Sequence, residues 1–401
     1  MTTSTYSADQ AKRLVVSLRQ GHSFSGKASE LLVGRDAEIE MFGRELTHVG
    51  EGGSSLRFVA GTYGSGKSLL LHWLGEEARA RGFVVMKASL GPTARLSSTD
   101  GDSVRLLNQL TQNTSTKARP KGGAFSAVLE RFLKRVSEEA KGRRLEWAVQ
   151  ESVSELSELA MGSAVAHVLS RYVLAERNGD EQGRQNAVRW LRGEYRSRRE
   201  SGRDLGTNET IADADVFVYL RVLALFVQKA GYTGLVLLMD ELENLFRHLQ
   251  HPQARGKNFE QILDLYNEAA DNARPGTLVV LSATPETLDN ERTGLSSYGA
   301  LKRRLMTGMT GPDQPVMRLG ALTAAHVEEL ASRILDLWQQ SDAPTSFTSG
   351  RALVAAASHL NAGVSLETTP DRAVKAIIKA LDSSALADLE PGTGTPAGHV
   401  P

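Results

Sequence analysis

Short runs of continuous apolar residues alternate along the chain with longer stretches that have helical periodicity. The continuous runs are predicted to be strands, and they cover residues 56–60, 83–88, 234–241 and 277–284. Helical patterns lie between and after them, at 69–74, 322–340 and 350–384. Continuously apolar strands are typical of a parallel sheet whose two faces are covered by helices. The pattern therefore predicts an α/β fold built on a parallel sheet flanked by helices.

The same patterns divide the chain into parts. A polar lead with one short amphipathic segment at 11–18 covers residues 1–30, and we expect it to be flexible. The sheet-forming core is expected at 31–97 and 231–315, because a large and mainly helical insertion at 98–230 interrupts it. A C-terminal helical lid is expected at 316–385. The tail at 386–401 is rich in Pro, Gly and Thr, and we expect it to be disordered.

Composition narrows the functional classes. The chain has 401 residues, with 47 Lys and Arg against 47 Asp and Glu, so its net charge gives no support for avid nucleic-acid binding. It contains no cysteine, which excludes disulfides and cysteine–zinc sites. Its apolar runs fall short of the ~18 residues of a membrane span, and its first residues lack the pattern of a signal peptide. We expect a cytoplasmic protein that does not enter a membrane.

Residues 61–68 fit the phosphate-binding pattern G-x-x-x-x-G-K-[ST] at every fixed position. The loop follows a predicted strand and precedes a predicted helix, which is where backbone N–H groups wrap nucleotide phosphates. Lys67 is expected to reach the β- and γ-phosphates, and Ser68 to hold Mg²⁺. The alternative is a surface glycine loop without a ligand. The residues expected to bind the nucleotide are Gly61, Thr62, Tyr63, Gly64, Ser65, Gly66, Lys67, Ser68 and Leu69.

Two acids end the apolar run at 234–241. Asp240 suits a carboxylate that holds Mg²⁺, as on a Walker B strand. Glu241 suits a general base that polarises an attacking water, which favours hydrolysis over simple binding. The alternative is that both acids only cap the next helix.

Hydroxyl groups end the run at 277–284. A polar group at this strand end resembles sensor 1 of AAA+ ATPases, which contacts the γ-phosphate or the lytic water. Thr284 is the first choice for this role and Ser282 the second. The alternative is a turn residue before Pro285.

Arg304 lies in a short helical pattern in which Leu301 and Leu305 would face the core. AAA+ modules often place an arginine here that reaches the nucleotide of a neighbouring subunit and stabilises charge on the transferring phosphate. A homo-oligomer would then be required. The alternative is a surface arginine.

Five arginines recur at intervals of three and four residues within the insertion. On one continuous helix they would share a face that could follow a nucleic-acid backbone. Two nearby glycines and three acids weaken this interpretation, and a solvated or ion-paired face is the alternative. The arginines are Arg189, Arg192, Arg196, Arg199 and Arg203.

Several segments resemble a known family. The segment Val33–Glu38, VGRDAE, is similar to the "VGR-E-E" start of AAA+ and STAND ATPases of the origin-recognition type. Others are similar to the BREX-system ATP-binding proteins of the BrxD type, and together they span about 33 to 385. These other segments are 57–68, 81–85, 187–194, 231–235, 262–268, 283–286 and 298–301.

The resemblance implies an AAA+-like P-loop NTPase from a bacterial anti-phage defence locus, with ATP and Mg²⁺ as cofactors. A helicase and a phosphatase-like protein would be its neighbours, and DNA its ultimate target. The family's lid motif looks like Thr-Pro-Arg-Glu, whereas residues 369–372 here read Thr-Pro-Asp-Arg. Whether Arg372 acts as a "sensor 2" contact therefore stays open.

Two functional hypotheses remain. The chain is an ATPase that remodels DNA or a protein partner, or it is a nucleotide-controlled switch or scaffold that recruits partners with little turnover. A small-molecule kinase is disfavoured, because no acceptor site stands out and the Asp240–Glu241 pair favours water as the nucleophile.

Overall fold

The structure is a computed structural model that describes residues 6–21, 26–140, 144–249, 251–305, 314–360 and 368–387. Contacts divide it into two compact units. The larger unit is formed by the described parts of Ala37–Gly61 and Leu74–Arg318. The smaller unit is formed by those of Met1–Asp36, Thr62–Trp73 and Leu319–Pro401.

A parallel sheet forms the centre of the larger unit. Its strands, in chain order, are β1 (Ser54–Ala60), β2 (Val84–Ser89), β3 (Leu235–Asp240), β4 (Thr277–Ala283) and β5 (Val316–Arg318). They lie side by side in the order β2-β3-β4-β1-β5. The predicted parallel sheet flanked by helices is confirmed. The arrangement is consistent with a P-loop-like fold.

The α-helices share an amphipathic or apolar pattern that packs them on the sheet or on one another. In chain order the described ones are α1 (Ala8–Arg19), α2 (Asp36–Gly50), α3 (Lys67–Ala80), α4 (Asp102–Gln112), α5 (Phe125–Glu139), α6 (Leu145–Ser152), α7 (Gly162–Asn178), α8 (Glu181–Leu191), α9 (Arg198–Leu205), α10 (Val216–Lys229), α11 (Leu242–His248), α12 (Pro252–Ala270), α13 (Pro285–Asp289), α14 (Gly299–Leu305), α15 (Ala324–Gln340), α16 (Gly350–Leu360) and α17 (Pro370–Ala387).

Register brings three strand ends to one edge of the sheet. Ala60 of β1 aligns with Ala283 of β4, and Met239 of β3 aligns with Leu281 of β4. Every residue of β4 is buried, as expected for a strand with neighbours on both sides and helices on both faces. The carboxyl ends of β3, β4 and β1 therefore lie next to one another.

Helices α4 to α10 fill the sequence between β2 and β3. They share the main hydrophobic core with the sheet, and the ring of Trp190 meets that of Tyr219 edge-on, with their centroids 6.4 Å apart. The insertion leaves the sheet at the carboxyl end of β2 and returns at the amino end of β3, and hydrogen bonds tie the starts of these two parallel strands together. The Val84 N–H donates to the Gly234 carbonyl at 3.0 Å, and the Thr233 N–H donates to the Gly82 carbonyl at 3.1 Å.

The smaller unit has its own core, formed by α1, α15, α16 and α17. Helix α1 lies within the segment that we expected to be a flexible lead. It begins with a capping box at Ser7 and buries Leu14, Val15 and Leu18 among the lid helices. A single short helix gives a weak sequence signal, and its stability comes from the partners that cover it.

Two other boundaries differ from expectation. Residues 316–318 were placed in the lid, but they form β5, which pairs with β1. Helix α17 runs to Ala387, into the start of the expected tail, while residues 388–401 of that tail lie outside the described residues. None of the described helices combines the length and the apolar character that a membrane span needs.

Replacing Leu14 with Ala should lower the free energy of unfolding of the smaller unit by about 2–4 kcal/mol, because it opens a cavity in a packed core. Val16 provides the control, since it lies on the same helix and is 42% exposed. Its replacement by Ala should change stability by less than about 0.5 kcal/mol. Urea denaturation followed by limited proteolysis measures both, and equal effects would mean that α1 does not belong to the core.

Candidate functional site

The loop between β1 and α3 has a backbone conformation with positive φ angles at two of its glycines. Gly64 and Gly66 have φ values of 76° and 95°, in the region that side chains disfavour. Helix α3 begins at Lys67, so its N-terminal end opens onto the loop. The loop starts at Gly61, whose N–H donates to the Ala283 carbonyl at 3.1 Å. The chain therefore enters the loop at the sheet edge where β4 ends.

The Lys67 ammonium is held close to its own loop. Its Nζ donates to the Thr62 carbonyl at 3.3 Å and lies 5.5 Å from the centre of the Tyr63 ring. Tyr63 itself is 62% exposed. Thr62 and Ser68 are exposed, whereas Ser65 is buried and Leu69 packs against the core of the smaller unit.

The start of α17 also contacts this loop, within the smaller unit. The Asp371 N–H donates to the Gly64 carbonyl at 3.1 Å. A Cβ atom added to Gly64 would come within 2.7 Å of the Asp371 Cβ, so this contact requires glycine. The Asp371 carboxylate pairs with Lys375 at 2.7 Å, and Arg372 is exposed. The structure thus brings Asp371 against the loop and leaves Arg372 in solvent.

Asp240 is oriented by its neighbours at the ends of β3 and β4. The Ser282 hydroxyl donates to the Asp240 Oδ1, and the Glu241 N–H donates to the same oxygen at 2.9 Å. The Ser282 side chain is fully buried. A carboxylate held by two donors keeps one orientation, which is what a metal ligand requires.

Glu241 has a strained backbone and an exposed side chain. Its φ of 64° and ψ of 42° lie in the left-handed region, which costs a residue other than glycine about 1–2 kcal/mol. The Asn244 side chain donates to its Oε2 at 3.2 Å. Such strain occurs often at functional sites. Sequence reasoning missed Asn244, and its position three residues after Glu241 on α11 was the available signal.

Thr284 and Arg304 make local contacts. Thr284 caps α13: its Oγ1 lies 2.9 Å from the Thr287 Oγ1 and accepts from the Thr287 N–H at 3.4 Å. Arg304 is half-buried and donates to the Ala300 carbonyl at 3.3 Å, while Leu301 and Leu305 are buried. Of the two hydroxyl candidates, the structure brings Ser282 to Asp240 and engages Thr284 in a helix cap.

Lys87 is a partly buried cation beside β3 that sequence reasoning did not single out. It lies on β2, and Gly75 of α3 makes room for it, since a Cβ there would be 3.1 Å from its Nζ. Burial is the main cause that lowers the Lys87 pKa, the nearby charge of Arg79 acts in the same direction, and Glu76 and Asp240 oppose both; the resulting pKa is about 8. A lysine inside an otherwise apolar strand was the available signal.

The arginine stripe does not lie on one helix. Helix α8 ends at Leu191, Gly193 turns the chain with a φ of 74°, and α9 starts at Arg198. Three of the five arginines pair with carboxylates on the same surface, and Arg196 and Arg199 are exposed. The pairs are Arg189 with Glu200 at 3.1 Å, Arg192 with Glu194 at 2.9 Å and Arg203 with Asp204 at 2.7 Å.

The chain was compared with protein families. The family described as BREX system ATP-binding protein BrxC/D matches residues 7–389, which is nearly the whole chain. The chain therefore belongs to this family. Neither the curated proteins nor the solved structures contain a significant match to it.

Lys87 should make stability depend on pH. Its pKa is lower in the folded chain than the 10.5 of an unperturbed lysine, so the unfolded state binds more protons between about pH 8 and 10.5. Between about pH 7 and pH 10, the free energy of unfolding of the unaltered chain should therefore rise by about 2 kcal/mol relative to that of Lys87→Met. Urea denaturation at each pH measures the difference. Replacing the exposed Lys12 with Met is the control, and a pH-independent difference for Lys87 would refute the prediction.

Proposed function

We propose that this member of the BREX system ATP-binding family binds ATP with Mg²⁺ at residues 61–69 and hydrolyses it as an AAA+-like ATPase. The observation that carries the proposal is the group at the sheet edge where the loop begins. There Ser282 and the Glu241 N–H fix the Asp240 carboxylate, and the Glu241 side chain is exposed. Family membership supports ATP as the nucleotide.

The residues of the loop supply the phosphate contacts. Backbone N–H groups between Gly61 and Ser68 would donate to phosphate oxygens, and the N-terminal end of α3 adds its positive dipole. Lys67 would exchange its contacts with Thr62 and Tyr63 for the β- and γ-phosphates. An ammonium already held at the loop needs little reordering to do so.

The donor set fits a magnesium ion. Mg²⁺ prefers oxygen ligands and is commonly held by one or two protein groups together with substrate phosphates and water. The Asp240 carboxylate and the Ser68 hydroxyl would be those protein groups. When bound, the ion would neutralise charge on the β- and γ-phosphates.

Glu241 is the proposed general base. Its carboxylate would accept a proton from the water that attacks the γ-phosphate, because it follows the metal-binding Asp240 directly and is exposed. The contacts favour Ser282 over Thr284 as the polar group of β4 that supports this site, since Ser282 touches Asp240 while Thr284 caps a helix.

Arg304 is the proposed trans-acting group. It would stabilise the transferring phosphate of a second copy of the chain in a homo-oligomer. The burial of Leu301 and Leu305 supports this role, because it holds α14 on the core and gives the arginine a fixed base.

The work coupled to hydrolysis would be the remodelling of DNA or of protein partners from the same defence system, such as a helicase. The arginine stripe supports direct DNA binding less than its spacing suggests, because three of its arginines are ion-paired. Arg196 and Arg199 are the members that remain candidates for phosphate contacts.

A second candidate function is a nucleotide-controlled switch or scaffold with little turnover. The hydrogen bond from Asn244 to Glu241 favours it, because a base held by a neighbour is less free to orient water. Turnover by the purified chain, measured with and without DNA, distinguishes the two candidates. A rate that stays at the level of the Glu241→Gln variant would support the switch.

Replacing Glu241 with Gln should leave ATP binding intact and lower kcat about 10²–10⁴-fold, because the general base is lost. Lys67→Ala should lose nucleotide binding, and Ser282→Ala should lower kcat about 10–100-fold through a misoriented Asp240. Phosphate release and a fluorescent ATP analogue measure the two properties.

The exposed Glu260 on α12 provides the control for these variants, and its replacement by Gln should change neither property. Equal hydrolysis by Glu241→Gln and the unaltered chain would refute the assigned base. A larger loss in Thr284→Ala than in Ser282→Ala would reverse the choice between the two hydroxyls.

If Arg304 acts in trans, the hydrolysis rate per molecule should rise with protein concentration and then level off. The Arg304→Ala variant should still bind ATP, but its hydrolysis rate should be at least about 10³-fold lower than that of the unaltered chain at every concentration. The neighbouring exposed Arg303 provides the matched control. A rate per molecule that does not depend on concentration would place the catalytic groups within one chain.

A further inference from the structure

Arg35 is a buried cation that contacts the main chain of the loop. Its side chain is almost entirely shielded, at 4% exposure. One terminal nitrogen, Nη2, donates to the Ser65 carbonyl at 3.0 Å and to the Gly320 carbonyl at 2.8 Å. The other, Nη1, donates to the Gly34 carbonyl at 3.2 Å. All these residues belong to the smaller unit, so Arg35 links three of its chain segments.

The bond to Ser65 fixes a particular peptide group. The Ser65 carbonyl and the Gly66 N–H belong to one planar, trans peptide, so they point in opposite directions. Holding the oxygen therefore also sets the direction of the N–H. A cation at the oxygen polarises the peptide as well, which makes its N–H a stronger donor.

The adjacent peptide of the loop differs. Its N–H, on Ser65, donates to the Thr62 carbonyl at 3.1 Å, and its oxygen, on Gly64, accepts from the Asp371 N–H at 3.1 Å. Both the N–H and the oxygen of that peptide are therefore already hydrogen-bonded to main-chain groups of the smaller unit. The Ser65–Gly66 peptide differs because its oxygen is bound by a charged group.

We propose that Arg35 is a positioning residue for phosphate binding, which orients and polarises the Ser65–Gly66 peptide so that the Gly66 N–H donates to a nucleotide phosphate. This rests on the nucleotide site proposed above and adds a residue that does not itself touch the ligand. The φ of 95° at Gly66 is compatible with this peptide orientation because glycine has no Cβ.

The first test measures ADP affinity in Arg35→Met, which keeps the length and packing of the side chain but removes its charge and donors. Affinity for ADP and for ATP should fall by a similar factor of about ten, because backbone N–H groups of such loops cradle the α- and β-phosphates. Isothermal titration calorimetry with each nucleotide measures both.

Arg333 provides a matched control in the same unit. It lies on α15 and donates from Nη1 to the Ser29 carbonyl at 2.7 Å and the Glu30 carbonyl at 3.2 Å, away from the loop. Arg333→Met also removes hydrogen bonds to main-chain carbonyls, together with an ion pair to Glu329, so it should change stability without changing ADP affinity. An equal loss of affinity in both variants would overturn the proposal, since the effect would then be general to the unit.

A second readout observes the peptide itself. Labelling serine with ¹³C at the carbonyl and glycine with ¹⁵N by cell-free synthesis selects serine–glycine peptides in the NMR spectrum. The sequence has only four of them, at Ser25–Gly26, Ser65–Gly66, Ser201–Gly202 and Ser349–Gly350. ADP should shift the Gly66 amide downfield in the unaltered chain and by less than half as much in Arg35→Met.

The outcomes separate the inference from the function on which it rests. If the unaltered chain binds neither nucleotide, the proposed nucleotide site fails. If it binds and Arg35→Met matches it in affinity and in the Gly66 shift, the role of Arg35 fails. Should Arg35→Met not fold, Arg35→Gln decides, because its amide carries no charge and its side chain is too short to place a donor where Nη2 lies. A response equal to that of the unaltered chain would overturn the proposal.

Discussion

The pairing of β4 with β1 on one side and β3 on the other is the constraint on which the site depends. Seven aligned residue pairs join β4 to β1 and five join it to β3. This register places Ser282 one step beyond the Met239–Leu281 pair, where its hydroxyl meets Asp240. A slip of one residue would turn Ser282 to the other face of the sheet and separate the two groups.

Much of this architecture could be predicted because its signals are local. Four strands are largely apolar runs, and the loop at 61–68 is a short motif with fixed positions. Strand β5 could not be predicted because three residues show no periodicity. The burial of α1 could not be predicted because it depends on helices more than three hundred residues away in the sequence. The choice between Ser282 and Thr284 depends on side-chain partners, which spacing alone does not specify.

For the charged residues, too, the local sequence pattern and the contacts made in the fold give different pictures. The arginine spacing suggested one basic face, but a glycine turn breaks the helix and nearby carboxylates neutralise three of the side chains. Lys87 and Arg35, by contrast, are single cations in sequence that matter because the fold buries Arg35 and partly buries Lys87. Removing a charge from water is costly; main-chain oxygens accept hydrogen bonds from Arg35, and the pKa of Lys87 is lowered.

The insertion leaves the sheet at the carboxyl end of β2 and returns at the amino end of β3, its immediate neighbour, where hydrogen bonds tie the starts of the two strands together. The helices of the insertion could therefore be lengthened, shortened or exchanged during evolution while the spacing between β2 and β3 stays the same. The last helix of the insertion, α10, leads by a few residues into β3, the strand that ends at Asp240. The insertion could thus vary in length and sequence while its connection to Asp240 stays the same.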